Sequence, residues 1–415
     1  MPMSKTMQNK GDLLWFYIFG DQHHESSKAA KEGKKVISDG GSNIHTNFLL
    51  RIPQERQITI FTYQDNYQVR NFFSEYQNVT VNEFKTLSGL FKRYLLHWEI
   101  LLRCVYPGLL FLFKKMDYKH LVTQTDFLPD TWAAFLLKIR NPKVEWTASF
   151  FLAAPTPWQK DSPYKGKRWI IGFFYWFLQI PSIWFIKWKA DKVIVTSEPD
   201  VQRFLSKNRD RSKIMVVQGG VNIEASETYL KSGSITPSHE RKYDACFSGR
   251  FHYQKGVLEL IDIWNEVCQV KKDAKLAMIG HGSLEEDVKK KIAKYHLEGN
   301  IDLLGFMGGQ DKFEIFKQSK VMVHPATYDS GGMAAAEGLA WGLPGVSFDL
   351  EALKTYYPKG MLKTPPSDFK RFAENILNLL QSEALYQKTA SDAHNLIVEV
   401  WDWEKRAKKM YETIF

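Results

Sequence analysis

Val321-Met322-Val323-His324-Pro325-Ala326-Thr327-Tyr328-Asp329-Ser330-Gly331-Gly332-Met333-Ala334-Ala335-Ala336-Glu337-Gly338-Leu339-Ala340-Trp341-Gly342-Leu343-Pro344-Gly345-Val346-Ser347-Phe348 reads as a strand, a polar turn, a small-residue helix and a second strand. Val321 to Val323 and Gly345 to Phe348 are short apolar runs, and Met333 to Trp341 is long enough for a helix. A strand that returns through a helix to another strand is the repeating unit of a parallel sheet. The alternation continues outward from this unit. Ala245 to Ser248, Leu276 to Ile279 and Ile301 to Leu304 are predicted strands. Val257 to Val270, Leu284 to Tyr295 and Lys312 to Gln318 are predicted helices, and Asp368 to Phe415 is helical in pattern almost throughout.

Gly219 to Arg241 is richer in Ser, Thr, Gly and Pro, lacks sustained periodicity, and is predicted to link two domains. Before it the alternation runs once more. Leu13 to Phe19, Gln57 to Tyr63, His120 to Thr125, Val144 to Phe150, Val193 to Thr196 and Ile214 to Val217 are predicted strands. A Gly40-Gly41-Ser42-Asn43 turn, a helix over Ile44 to Arg51 and another over Asp130 to Arg140 lie between them. The predicted fold class is α/β, with two doubly wound, Rossmann-like domains over residues 1–220 and 221–397.

At 415 residues the chain exceeds what one core holds, and 44% hydrophobic against 25% charged residues exclude a disordered protein. Lys and Arg outnumber Asp and Glu by 56 to 46, so the charge of +10 favours an anionic partner. Nucleic acid, phosphorylated small molecules and an anionic membrane face all qualify. Nucleic acid is disfavoured because no clustered basic-aromatic motif is present. A dinucleotide oxidoreductase is disfavoured because no Gly-x-Gly-x-x-Gly follows the first strand. Cys104, Cys246 and Cys268 are odd in number and lie among apolar residues, which suits buried thiols in a reducing compartment. Met1-Pro2-Met3-Ser4-Lys5 lacks the pattern of a signal peptide, so a cytoplasmic protein is expected.

Chemistry concentrates at two strand-to-helix junctions. In the first, Gly331 and Gly332 permit close backbone approach, and the amides of Gly332, Met333 and Ala334 open a helix that favours an anion. Glu337, a turn into that helix, and Asp329, before it, are placed to hold hydroxyls on either side. Close packing on a sheet would explain the alanines, but packing asks for neither acid. In the second, Phe247-Ser248-Gly249-Arg250-Phe251-His252-Tyr253-Gln254-Lys255-Gly256, two cations stand where a helix begins. A diphosphate leaving group gathers negative charge as its bond breaks, and preorganised cations stabilise that transition state more than the ground state. Arg250 can chelate two oxygens, while Lys255 acts as a point charge.

These residues resemble the family-4 group of retaining glycosyltransferases of the GT-B fold. The resemblance rests on Gly249-Arg250, Lys255-Gly256, Ile279-Gly280-His281-Gly282, Gly305-Phe306, and an acid, Asp329, separated by seven residues from Glu337, in the family's order. It implies two Rossmann-like domains facing a cleft and a hexosyltransferase acting on a nucleotide diphosphate sugar, with a UDP-sugar favoured and GDP-mannose second. Arg250 and Lys255 would bind the diphosphate, Glu337 the ribose hydroxyls, and Asp329 with the amides after Gly331 the transferred sugar. Gly282 and the Phe306-Met307 turn would lie near the base. By the same resemblance the catalytic residues would be Asp329, Arg250 and Lys255. The family usually has glutamate where this chain has Asp329.

The first half resembles the family more loosely. Gly40-Gly41 resembles the glycine loop after the first strand, which places Gly41 near the donor phosphates. Ala190 to Ser197 and Gln218 to Asn222 resemble its sixth strand and linker. Trp401 to Tyr411 resembles the last helix, and residues 398–415 are expected to cross back to the first domain. The family's histidine after the fifth strand is missing, with Ser149 or Phe150 near the spot. Front-side attack tolerates that loss, since a leaving phosphate oxygen can accept the acceptor's proton.

No metal and no cofactor are expected. No Asp-x-Asp pair stands at a strand end; Asp402-Trp403-Glu404 is assigned to helix surface, and His23-His24-Glu25 to a solvated loop. Trp169 to Ile186 has no charged residue and many aromatics, with Lys165, Lys167 and Arg168 before it and Lys187, Lys189 and Lys192 after it. A single membrane crossing would separate strands of one sheet, and Pro181 is expected to interrupt the helix. Two readings remain: a helix hairpin in the membrane interface, or a buried helix pair. The flanking cations favour the interface, with Trp169, Phe173, Trp176, Phe177 and Trp184 as the surface. Tyr94 to Phe113, broken by Glu99, Arg103 and Pro107, is a second apolar stretch for the same surface. The acceptor would then be a lipid-linked or membrane-surface saccharide at the inner face of the cell membrane. A catalytically weak GT-B-like subunit of a membrane complex is the alternative function.

Overall fold

The structure is a computed structural model that describes residues 10–18, 40–73, 75–85, 96–159, 164, 166, 169–329 and 331–415. Two compact units account for it: Met1–Val217 with Ala407–Phe415, and Gln218–Arg406. The first unit therefore ends three residues before the boundary read at 220. Of the expected return over 398–415, residues 398–406 belong to the second unit. The last helix, Trp403–Ile414, begins in one unit and ends in the other.

The first unit holds a seven-stranded sheet of β1 (Lys10–Tyr17), β2 (Ile58–Tyr63), β3 (Val79–Phe84), β4 (Asp117–Thr123), β5 (Glu145–Phe150), β6 (Lys192–Val195) and β7 (Ile214–Val216), in the spatial order β3-β2-β1-β4-β5-β6-β7. Its pairings are parallel, and Leu14 of β1 sits between Thr59 of β2 and Leu121 of β4. The second unit holds β8 (Tyr243–Ser248), β9 (Leu276–Ile279), β10 (Ile301–Gly305), β11 (Ser319–His324), β12 (Gly345–Phe348) and β13 (Met361–Thr364), ordered β10-β9-β8-β11-β12-β13 and again parallel. Each sheet reverses its direction of growth at one place, between β1 and β4 or between β8 and β11. In open α/β sheets, ligands bind beyond the strands' carboxyl ends at such a reversal. In the second unit those ends carry Gly249-Arg250 and the loop leading to Asp329.

Burial on both sheet faces explains why the strands read as unbroken apolar runs; every residue of β2, β8, β9 and β12 is buried. Each sheet has its own core. Leu14, Phe16, Phe61, Trp146 and Phe150 centre the first, and Phe247, Trp264, Met278, Val321 and Phe372 the second. The helix Val257–Val270 buries Leu260, Ile261, Trp264 and Val267, one face at helical spacing. The helix Phe369–Gln381 starts where the Asp368 carboxylate accepts from the Arg371 amide at 3.0 Å.

Four elements depart from the sequence reading. β3 and β13 were not expected: both are short, half-polar edge strands, whose outer positions carry no apolar signal. The turn expected at Gly40 to Asn43 is instead the first turn of the helix Gly40–Leu49. Trp169 to Ile186 forms neither a hairpin nor a helix pair but part of one helix, Trp169–Lys189, running through Pro181. Proline removes only its bond to the carbonyl four residues back, here Phe177, whose side chain is exposed.

Candidate functional site

The second unit brings the motif residues together by lacing its loops through the backbone. The Gly249 amide donates to Ile279 at 3.0 Å, Phe251 to His281 at 2.8 Å, and Gly280 to Gly305 at 2.7 Å. Thus Gly249-Arg250, Gly280-His281-Gly282 and Gly305-Phe306 form one rim at the carboxyl ends of β8, β9 and β10. The loop after β11 is tied to the same rim, because the amides of Thr327 and Tyr328 both donate to the Gln254 carbonyl, at 3.0 and 3.3 Å. Gly256 makes this approach possible: its φ is +64°, and a Cβ there would lie 1.9 Å from the Pro325 carbonyl oxygen.

Lys255 and Asp329 meet at the centre. The Lys255 Nζ lies 2.7 Å from Asp329 Oδ2, with the two side chains 21% and 10% exposed. His324, at the end of β11, places Nε2 3.2 Å from the same oxygen. The Gly331 amide donates to Asp329 Oδ1 at 3.3 Å. Burial is the largest single influence on Asp329 and opposes its charge, yet Lys255 and His324 outweigh it and hold the carboxyl well below its usual range. Burial lowers His324 despite the Asp329 charge, so its ring is neutral near pH 7. Beneath them the Tyr357 hydroxyl donates to the Gly332 carbonyl at 2.7 Å.

Glu337 lies in the helix Met333–Leu339, which ends two residues before the expected Trp341. Its carboxylate pairs with Lys312, from the helix Gly309–Lys317. No residue pattern announced that partner. Gly332 has φ +60° and precedes Met333 and Ala334, both half-buried. Arg250 is exposed on the rim. Phe306 is 56% exposed with its ring 5.7 Å from that of His281, and Met307 is half-buried beside it. The second unit thus carries the sugar, diphosphate, ribose and base candidates on the loops beyond the carboxyl ends of β8 to β11.

In the first unit Gly41 is packed against Phe151, whose ring would lie 2.7 Å from a Cβ at that position. The end of β5, where the family has a histidine, holds a different arrangement. Ser149 Oγ bonds His45 Nε2 at 2.9 Å, both groups being fully buried, and Phe150 points into the core. Burial lowers the His45 pKa to about 3, so this ring is a neutral structural partner. Nothing in the spacing of His45 and Ser149 announced the pairing. His23 and His24 lie outside the described residues. Asp402 Oδ1 accepts from the Glu404 amide at 3.3 Å, at the start of the last helix.

The helix Trp169–Lys189 exposes Trp169, Ile170, Phe177, Ile180, Trp184 and Trp188, an apolar row at helical spacing. Phe173 is half-buried and stacks between Trp169 and Phe177, with centroids at 5.4 and 5.9 Å. Trp176 is half-buried against Trp158 at 5.1 Å, so it is not the freely exposed side chain expected of it. The opposite face buries Phe185 and Ile186 in the core and adds polar contacts beside them. Ser182 Oγ accepts from Thr131 Oγ1 at 2.9 Å, and Gln179 Nε2 donates to Asp126 Oδ2 at 2.5 Å. The helix Leu96–Phe113 exposes a second row, Val105, Tyr106, Leu109 and Phe113, and both helices pack on the helix Leu128–Arg140. No described helix is long and apolar enough to cross a membrane.

Residues 233–396 match the family Glycosyl transferases group 1. An uncharacterized glycosyltransferase of Methanocaldococcus jannaschii is 27% identical over 318 residues, spanning 72% of this chain and 76% of that protein. The amylovoran biosynthesis glycosyltransferase AmsD of Erwinia amylovora is 25% identical, over 51% of this chain and 61% of its own. Among solved structures, Anabaena HepE with UDP and glucose superimposes with a TM-score of 0.66 at 13% identity, covering 97% of this chain and 99% of its own. Sucrose-phosphate synthase from Thermosynechococcus elongatus gives 0.69 at 16% identity, covering 97% and 98%. At such identities the structures establish the fold, which is GT-B. Residues 233–396 carry a group 1 glycosyltransferase domain, and the chain is a glycosyltransferase.

Proposed function

We propose that the chain transfers a hexose from a nucleotide diphosphate sugar to a saccharide acceptor, with retention at the anomeric carbon and without a metal ion, in the manner of family 4. The observation that carries this reading is the meeting of Lys255 with Asp329, rooted in different strand ends, beside a rim that presents Arg250. Arg250 and Lys255 bind the diphosphate and neutralise charge as it leaves, the part a divalent cation plays elsewhere. Asp329 holds a hydroxyl of the transferred sugar, and Glu337 the ribose hydroxyls. A leaving phosphate oxygen takes the acceptor's proton, so no histidine is required of the first unit. Uridine is the favoured base and guanosine, with mannose, the second. The relatives support a group 1 transferase, and HepE, solved with UDP and glucose, supports uridine.

We place the acceptor at an anionic membrane surface, on the cytoplasmic side. The apolar row from Trp169 to Trp188 ends beside Lys187 and Lys189, a pairing suited to the membrane interface.

Thermal shift against a panel of nucleotide sugars tests the donor. One member should raise the melting temperature, and Glu337→Ala should abolish that rise. A flat response to the whole panel would overturn the reading. The anomer formed, read by NMR of the first product, decides retention.

A further inference from the structure

His324 sits at the last position of β11, 2% exposed, directly below the turn that carries the site. Its Nε2 lies 3.2 Å from Asp329 Oδ2 and 3.4 Å from where a Cβ of Gly332 would stand. Lys255 reaches the same Oδ2 from the neighbouring loop, at 2.7 Å. Asp329 is therefore gripped on one oxygen by a buried imidazole and an ammonium, while Oδ1 takes the Gly331 amide. We propose that His324 is a positioning residue for Asp329 that sets how far this carboxylate reaches toward the donor sugar, and so helps decide which sugar is accepted. The proposal rests on the donor-sugar role given to Asp329 above.

The geometry requires the short arm. An aspartate carboxylate stays one methylene closer to the backbone than a glutamate, at the depth where a ring on the strand end can touch it. A glutamate anchored at 329 would carry its oxygens past Nε2 and leave the buried imidazole facing no carboxylate. The pair is thus matched: a recessed acid, and a neutral ring whose Nε2 stands 3.2 Å from it. The charged groups acting on His324 are Asp329 and Lys255 from the loops and Lys363 from β13. Sugars whose hydroxyl extends down to a recessed acceptor gain from this arrangement, and those shaped for a forward carboxylate lose.

The test uses the full chain with the nucleotide sugar identified by the donor screen, and UDP alone as a sugar-free probe. His324→Leu keeps the bulk of the ring and removes its donor; His324→Gln keeps an N–H. His324→Leu is expected to raise the donor KM about tenfold while UDP binding holds within about twofold, and His324→Gln to recover most of the loss. Equal kinetics for Leu and Gln, or equal weakening of UDP and the sugar donor, would overturn the proposal. Should the Leu variant fail to fold, Asp329→Glu decides. With His324 present the longer acid should raise the donor KM, and combination with His324→Gln should not add to it. Full additivity would reject the coupling. If the wild-type protein binds no nucleotide sugar, the functional reading itself fails, which is a separate outcome.

Discussion

The hydroxyl of Tyr357 donates to the Gly332 carbonyl across 2.7 Å, from a ring that stacks on Trp401 at 5.2 Å and 16°. Burial, then the nearby Asp329 charge, push this phenol well above its usual range, so it remains a donor at any working pH. Gly332 holds φ +60° at the head of the helix containing Glu337, and Tyr357 fixes that turn from beneath.

Tyr357→Phe should keep the stacking and lose the bond, leaving the Gly332 carbonyl only its bond from the Ala335 amide at 2.9 Å. A loss of about 1 kcal/mol in unfolding free energy is expected, with weaker donor binding. Urea denaturation and a donor titration measure both. An unchanged midpoint would show that the turn holds itself.

Gly256→Ala should be severe, since a Cβ would press on the Pro325 carbonyl at 1.9 Å and φ is +64°. A loss of roughly 2–4 kcal/mol is expected. Gly299→Ala, where a Cβ meets nothing within 4 Å, is the control and should be near neutral. Comparable melting curves for the two variants would contradict the close loop approach.

Lys312→Ala should raise the donor KM a few-fold and leave kcat nearly unchanged. Lys312 orients Glu337 and offsets its repulsion of a diphosphate, and ribose contacts are equally strong in ground and transition states. Steady-state kinetics separate the two constants; a fall in kcat alone would argue against a ribose role.

Acid should destabilise the first unit through His45. Its pKa is about 3 when folded and near 6.5 when free, so the unfolded chain binds the extra proton between those values. Stability therefore rises with pH through that window and is lost as pH falls through it. Asp126, raised to about 6 by burial, acts in the opposite direction between 3.8 and 6. Melting temperature against pH should show a shallower acid slope in His45→Gln than in the parent, at some loss of stability. Identical slopes would remove His45 as the cause.

Phe177, Trp184 and Trp188 changed together to Ser should lose flotation with anionic liposomes while keeping donor binding. Phe177 is 54%, Trp184 52% and Trp188 55% exposed, so the change removes little from the core. Unaltered flotation would withdraw the membrane assignment.

The strand-turn-helix units of the second half were legible because parallel strands buried on both faces read as plain apolar runs. Lys255 and Asp329, 74 residues apart, were assigned to one donor site through the family resemblance, and the adjacency of β8 and β11 brings them together. Partners supplied by unrelated elements were not legible. Lys312 comes to Glu337 from another helix, and His324 looks like one more core position on a strand. In the first half, Gly41 was read as a phosphate loop, whereas the close Phe151 ring is a packing reason for glycine there. Pro181 was read as a break, but a helix held by Gln179 and Ser182 on one side tolerates one missing bond on the other.

That helix carries apolar side chains on both its outer and its inner side. Gln179 also accepts from the Ala154 amide and donates to the Leu152 carbonyl, each at 2.8 Å, so polar clasps pin the inner side beside the buried Phe185 and Ile186, while an oily row faces out. Wetting the outer row with detergent touches none of the clasps, whereas urea must undo them. For whoever purifies this enzyme, keeping it dispersed and keeping it folded are therefore independent adjustments.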